Sequence, residues 1–417
     1  VTPASSPGFQ RQHLILTGAN GYIGRAVVDA ALAEGRRVTV LGRRSVNGAR
    51  FVAWRLGQGI PAEAIESGTA PADAALVHLA HDWGGKGEVE DPNVTAARIL
   101  RDSARQLGLG HTVFISSLSA RPDALNRYGR TKFSIEALFD AADEASLRVG
   151  LVYGGPRIAM YGLLCRIVGL APALPMIQPR QPVQPIHRDE VARGILAAVD
   201  RKLSGPVGLA GADPIEFGRF LNTLARRTRG RGVLVLPLPL GPVLVACRML
   251  NALPLGPKVD PERVLGLAGV RFVETRADLE RLGLTVRPFA DGMAGEPAAR
   301  RQLLAEGRCL LGFVLRADPG GALVRRYARA MGSAGALALP PLVRRWPALL
   351  RWVEPLGGEG DLRRRLTIAL ALAEASPEGE RALSCGDRTG RLVRLAADLL
   401  IDVLAMPVRL VLGGLAR

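Results

Sequence analysis

The stretch His13-Leu14-Ile15-Leu16-Thr17-Gly18-Ala19-Asn20-Gly21-Tyr22-Ile23-Gly24 decides the fold of this chain. Leu14 to Leu16 are a short apolar run without alternation, the pattern of a parallel strand covered on both faces. Glycines at 18, 21 and 24 follow, and Arg25 to Glu34 then carry helical apolar spacing (Ala26, Val27, Ala30, Ala31) that Gly35 ends. A turn of this kind points free backbone N–H groups and the positive end of a helix at one spot, where a phosphate fits without a side chain in the way. The spacing is G-x-x-G-x-x-G rather than G-x-G-x-x-G, and in a chain with 49 glycines the trio alone says little. Its context gives it meaning. A strand before it, a helix after it and a second strand over Arg37 to Leu41 make a βαβ unit, for which a dinucleotide pyrophosphate is the natural guest.

At 417 residues the chain has room for two domains, or for one large α/β domain with an extension. A net charge of +17 would ordinarily raise nucleic acid or an anionic membrane as partners. The charge comes from 51 arginines against only 4 lysines, beside abundant Ala, Gly, Leu and Pro, so it reads as compositional habit. The run Arg226-Arg227-Thr228-Arg229-Gly230-Arg231 lacks interleaved aromatics and reads as a solvated helix end; no nucleic-acid partner is expected. Cys165, Cys247, Cys309 and Cys385 are far apart and show no metal or disulfide spacing, which fits a reducing cytoplasm. Val1 to Gln12 lack an apolar core, so no signal peptide is expected, and residues 1–10 read as a flexible N-terminus. The longest uncharged run, Gly232 to Cys247, is shorter than the ~18 apolar residues of a membrane span and is broken by prolines.

After the second strand come Gly42, Arg43 and Arg44, where a dinucleotide fold meets the adenosine ribose. No acid stands there to accept from ribose hydroxyls, and Arg43 suits a 2′-phosphate, so NADP is expected rather than NAD. Phe51 to Leu56 reads as a third strand and Ala74 to Leu79 as a fourth, ending in Ala80-His81-Asp82-Trp83. His78 and His81 lie too far apart around a strand end for a metal site without further ligands, and no metal is assigned. Asn93 to Leu107 has helical spacing. His111 to Ile115 is a fifth strand running into Ser116-Ser117-Leu118-Ser119, at the carboxyl end where open α/β sheets bind ligands. A short polar connection leads to Tyr128-Gly129-Arg130-Thr131-Lys132 on a helix, which places Tyr128 and Lys132 on one face. A phenol with a pKa of ~10 stays protonated at neutral pH, and a nearby ammonium favours its phenolate by ~1.4 kcal/mol per unit shifted. A serine hydroxyl from the strand end could then hold a carbonyl oxygen while the tyrosine gives or takes the proton.

These segments together resemble the short-chain dehydrogenase/reductase superfamily, on its extended or atypical NAD(P)-dependent epimerase/dehydratase-like side. The resemblance is carried by residues 17–24, Val77-His78-Leu79-Ala80, Asn93, Phe114-Ile115-Ser116-Ser117, Tyr128 to Lys132 and Arg148-Val149-Gly150-Leu151-Val152-Tyr153-Gly154. It implies Tyr128 as catalytic acid/base, Lys132 on the nicotinamide ribose lowering the tyrosine's pKa, and Ser117 orienting the substrate oxygen. Cofactor contacts implied are Gly18, Asn20, Gly21, Tyr22, Ile23, Gly24, Arg43, Leu79, Ala80, Ser116, Tyr128, Lys132, Tyr153 and Gly154. Two departures stand out. Leu118-Ser119-Ala120 replaces the V-Y-G that follows the serine in nucleotide-sugar enzymes, which leaves Ser116 and Ser119 as rivals for the serine role. Gln184-Pro185-Ile186-His187-Arg188-Asp189-Glu190-Val191 is similar to a segment of atypical members related to the NADPH-binding subunit of respiratory complex I, where His187 is expected to order a loop.

The expected architecture is a Rossmann-type doubly wound parallel α/β sheet over residues 11–293, with the substrate part mainly in 151–293, and an all-helical extension over 294–417. Helical stretches are expected near 299–315, 320–332, 340–353, 361–376 and 388–415. The last is amphipathic and arginine-bearing, compatible with peripheral contact to the inner membrane face, although packing against the main domain or a second subunit is the simpler reading. The expected function is an NADP-dependent oxidoreductase or epimerase moving a hydride at a carbinol or carbonyl carbon of a small molecule. A non-turnover NADPH-binding module in complex assembly or redox sensing is the alternative.

Overall fold

The computed structural model describes residues 13–84, 91–170, 173–176, 178–229, 232–239, 271–295, 300–332, 341–353 and 361–383, with a few single positions besides. The chain divides into two units, residues 1–224 with 233–293, and residues 225–232 with 294–417. In the first, β1 (His13–Thr17) is buried at every position, as an apolar run covered on both faces requires. Its glycine turn enters α1 (Tyr22–Ala33), and β2 (Val38–Gly42), β3 (Arg50–Ala53), β4 (Ala74–His78), α2 (Pro92–Gln106) and β5 (His111–Ser117) follow. Next come α3 (Arg127–Glu136), β6 (Glu144–Val149), β7 (Leu151–Tyr153), α4 (Ala159–Leu170), β8 (Ala173–Met176), β9 (Pro182–Val183), β10 (Pro185–His187), α5 (Arg188–Asp200) and β11 (Gly205–Leu209).

One seven-stranded sheet has the order β3-β2-β1-β4-β5-β6-β11 and is parallel throughout. Strand alternation divides its core. Leu14 and Leu16 face the helices α1 and α5, packing with Val27, Ala31, Ile195 and Val199, whereas Ile15 faces the other way with Leu41, Leu76, Leu100 and Trp54. The strand order reverses between β1 and β4, whose ends are in register at Thr17 and His78. A doubly wound sheet opens a crevice at such a reversal, outside the carboxyl ends of the strands.

The second unit is helical in its described part beyond residue 299, with Arg300–Leu315, Gly321–Ala330, Asp361–Glu374 and Pro377–Leu383 as its main helices. Leu310, Leu311, Tyr327, Ala369 and Ala373 form its core. Inside it, Glu306 accepts hydrogen bonds from the Tyr327 hydroxyl at 2.6 Å, Leu337 N at 2.7 Å and Arg365 Nη1 at 2.7 Å. A buried carboxylate is tolerated where its lone pairs are met and a cation is beside it. The expected helix 388–415 and the N-terminal residues 1–10 lie outside the described residues. No helix among the described residues is long and apolar enough to cross a membrane.

The glycine turn leaves no room for side chains. Gly18 has φ +72°, and a Cβ there would lie 2.7 Å from Ala80 N; a Cβ on Gly24 would lie 2.3 Å from Gly18 O. Backbone must move in either case, so Gly24→Ala is expected to lower stability by about 2 kcal/mol. A urea titration checks this: the midpoint falls while the slope stays at its wild-type value.

Candidate active site

A cleft of about 1730 Å³ lies at the carboxyl ends of the strands, between the β1–α1 turn and the start of α3. At the turn, α1 is capped by Gly21 without any side-chain hydrogen bond, so its first-turn N–H groups remain for a ligand. Gly18, Asn20, Gly21, Tyr22, Ile23 and Gly24 all line this end. Asn20 Nδ2 donates to Arg44 O at 2.9 Å, fastening the turn to the end of β2. Tyr22 forms a fixed wall. Its hydroxyl donates to Gly154 O, and its own carbonyl accepts from Arg188 Nε at 2.8 Å. Arg43, Arg44 and Arg55 also line the cleft, and the described lining residues at the β2 end include no acid. A bare helix start of this kind fits the pyrophosphate of a dinucleotide.

The opposite wall is α3, pinned at both ends. At its start Asn126 Oδ1 accepts from Gly129 N at 3.2 Å, and Gly129 packs so closely under Ser119 that a Cβ would lie 2.5 Å from its carbonyl oxygen. Asp91, which caps α2, also accepts from Thr131 Oγ1 at 2.6 Å and from Arg127 Nε at 3.0 Å. These bonds hold the Asp91 carboxyl below its ordinary pKa against the effect of burial. At the far end Glu136 accepts from the Ser116 hydroxyl and from Arg148 Nη2 at 2.6 Å. The helix therefore presents Tyr128 and Lys132, one turn apart, to the cleft.

Ser116 is buried with its hydroxyl committed to Glu136, whereas the Ser117 and Ser119 hydroxyls share a 2.9 Å hydrogen bond at the cleft. Lys132 departs from the expectation that its ammonium lowers the phenol's pKa. Its Nζ donates to Ile115 O at 2.7 Å and lies 4.5 Å from the Phe114 ring centroid, and burial pulls the amine down to about 7. Burial likewise pushes the Tyr128 phenol up to about 12. Desolvation here outweighs the lysine's charge.

Leu79 and Ala80 line the cleft beside the turn, but two other expected contacts do not. Tyr153 is fully buried, edge-on to His187 and Phe289, because strand alternation turns it from the face of Val152 that the cleft sees. Gly154 contributes its carbonyl to the Tyr22 hydroxyl instead. His187 caps α5, its Nδ1 accepting from Asp189 N at 3.2 Å. Three more histidines also have hydrogen-bond partners: His13 with Thr39 Oγ1, His78 with Thr17 Oγ1 and His111 with Leu203 O.

Sequence reasoning weighed His81 only as a metal ligand and passed over Trp83. Both close on Tyr128. The Trp83 indole stacks on the phenol ring at 5.0 Å between centroids, and the His81 imidazole meets it edge-on at 5.2 Å. Asn93 holds this loop, accepting from Asp82 N at 2.7 Å and donating to Asp82 O at 3.0 Å. Asn93 was legible as a matching helix residue, but nothing in the spacing of His81-Asp82-Trp83 signals that it folds back over the tyrosine.

This sheet, turn and cleft form a Rossmann-type doubly wound α/β unit, similar in fold to the extended short-chain dehydrogenase/reductase class. Residues 14–207 match the model of the NAD dependent epimerase/dehydratase family. A ceramide reductase of Caulobacter vibrioides is 28% identical over 211 residues, which cover 47% of this chain and 63% of that protein. Among solved structures, human epimerase family protein SDR39U1 with NADPH is 15% identical, with a TM-score of 0.51 over 67% of this chain and 96% of its own. MoeE5 in complex with UDP-glucuronic acid and NAD is 18% identical, with a TM-score of 0.50 over 68% of this chain and 97% of its own. These two likenesses are of fold.

The Lys132 amine yields a test by pH. Its pKa is lowered from 10.5 to about 7 on folding, so between those values the unfolded chain binds more protons and the burial cost grows as pH falls. Lys132→Met is expected to raise the unfolding temperature of the ligand-free protein. The gain over wild type is expected to be larger at about pH 7.5 than at about pH 9.5 in paired thermal melts.

Proposed function

We propose that the protein is an NADP-dependent oxidoreductase acting at a carbonyl or carbinol carbon of an uncharged, largely apolar small molecule. The observation that carries this reading is the meeting of Ser117, Tyr128 and Lys132 on one wall of a cleft whose other end is the uncapped start of α1. In this reading Gly18 to Gly24 hold the pyrophosphate, Arg43 takes the 2′-phosphate, and Leu79, Ala80 and Lys132 border the nicotinamide riboside. When bound, the nicotinamide supplies the hydride in the reducing direction and takes it in the oxidising one. Ser117, supported by Ser119, donates a hydrogen bond to the substrate oxygen. Tyr128 delivers its proton to that oxygen as negative charge develops there, and a charged Lys132 stabilises the resulting phenolate.

The substrate end of the cleft includes Leu118, Met160, Tyr161 and Val183, which favours an apolar body. Its described cations away from the arginines near β2 are Lys132 and Arg127, and Arg127 is paired with Asp91 at 3.0 Å. That set suits a ketone better than a sugar diphosphate, and the name of the Caulobacter vibrioides relative supports the reductive direction. An NADPH-binding module without turnover is the second reading, favoured by the stacking of Trp83 over the phenol.

Titration of nicotinamide fluorescence is expected to show NADPH binding at least about tenfold tighter than NADH, with Arg43→Ala narrowing the gap. Across a panel of aliphatic ketones, Tyr128→Phe is expected to keep NADPH binding and to lose at least about a hundredfold in turnover. Turnover unchanged in Tyr128→Phe rejects the assigned acid/base, and a wild type that binds neither nucleotide rejects the whole reading.

A further inference from the structure

His81 is the one histidine of the five without a hydrogen bond to either ring nitrogen among the described residues, and its Nδ1 is buried. It lines the cleft, and its ring contacts are Trp83 at 4.9 Å and Tyr128 at 5.2 Å between centroids, both edge-on. That Nδ1 is shut off from solvent, as are those of His13 and His111, so Nε2 is the ring nitrogen that a group in the cleft can reach. Burial and the Lys132 charge hold the imidazole neutral, down at about 4, so it offers one N–H donor and one lone pair. No neighbour among the described residues fixes which nitrogen carries the proton, so the ring can meet either a donor or an acceptor.

Resting on the reading above, we infer that His81 recognises a second polar group of the substrate, a hydroxyl or amide adjacent to the carbon that reacts at Tyr128. The exposed Trp83 indole, which stacks on the same phenol, flanks the aliphatic part. The substrate class is thus an α-substituted ketone, or the corresponding carbinol, on an apolar chain. A site built to bond such a group discriminates against the analogue lacking it, because its own polar atom is then left unpaired. His81 is a specificity residue here, and the proton moved in the reaction remains that of Tyr128.

The test uses the full chain saturated with NADP+, and calorimetric titration with a matched pair of probes, 1-hydroxy-2-dodecanone and 2-dodecanone. Wild type is expected to bind the hydroxyketone about tenfold tighter, the worth of one good neutral hydrogen bond. His81→Phe keeps an aromatic ring against Trp83 and is expected to reduce that preference to within about twofold; His81→Gln, which keeps a donor and an acceptor, is expected to restore most of it. With NADPH the same loss is expected in KM for the hydroxyketone rather than in kcat. Equal wild-type affinity for the two probes, binding of neither, or an equal loss of NADPH affinity in His81→Phe overturns the inference. NADPH binding with no preference between probes leaves the oxidoreductase reading standing; absence of NADPH binding removes that reading itself.

Discussion

The close approach of the β1–α1 turn to the end of β4 is the constraint on which the rest of this molecule depends. Gly18 touches the Ala80 backbone and Gly24 touches Gly18, so strand, turn and helix start are locked at contact distance. That contact sets the floor of the cleft and aims the bare N-terminus of α1 along it. It also fixes where β4 ends, and therefore where the His81-to-Trp83 loop begins. The nucleotide end and the aromatic cover over Tyr128 are in this sense two sides of one piece of backbone packing.

The second wall is built by charge rather than by backbone contact. Asp91 ties the starts of α2 and α3 together, and Glu136 ties the end of α3 to β5 and β6 through Ser116 and Arg148. With both ends held, the positions of Tyr128 and Lys132 follow from helix geometry alone. Asp91 and Glu136 touch no reacting atom in the proposed chemistry, yet they keep the Ser117–Tyr128–Lys132 wall in place. Partly buried pairs of this kind contribute more to specifying one arrangement than to net stability.

Much of this was legible in the sequence because the decisive residues are adjacent in the chain. The glycine turn, the serine-tipped fifth strand and the i, i+4 spacing of Tyr128 and Lys132 are local patterns with local meaning, and each element lies within a few residues of its expected place. Contacts that depend on how separate segments meet were not legible. Tyr153 follows a recognisable strand, but which face of the sheet it takes is decided by pairing with β10, and that pairing buries it against His187 and Phe289. Of the three neighbouring serines, Ser116 could be set apart only by seeing that Glu136 takes its hydroxyl. Periodicity likewise marked the helices at 300–315, 321–330 and 361–374, whereas the stretch expected as one helix at 340–353 forms two short helices around a 3-10 turn, and the Glu306–Arg365–Tyr327 cluster joins residues far apart in sequence.

The low pKa of Lys132 bears on how the formal charge of this chain should be counted. A count of +17 treats every lysine as a cation, but burial draws this amine's pKa down to about 7, far below that of an exposed lysine. The hydrogen bond to Ile115 O gives the amine a partner in either state. An anionic group that settles beside Nζ favours the charged amine over the neutral one, so filling the site and charging it are thermodynamically linked.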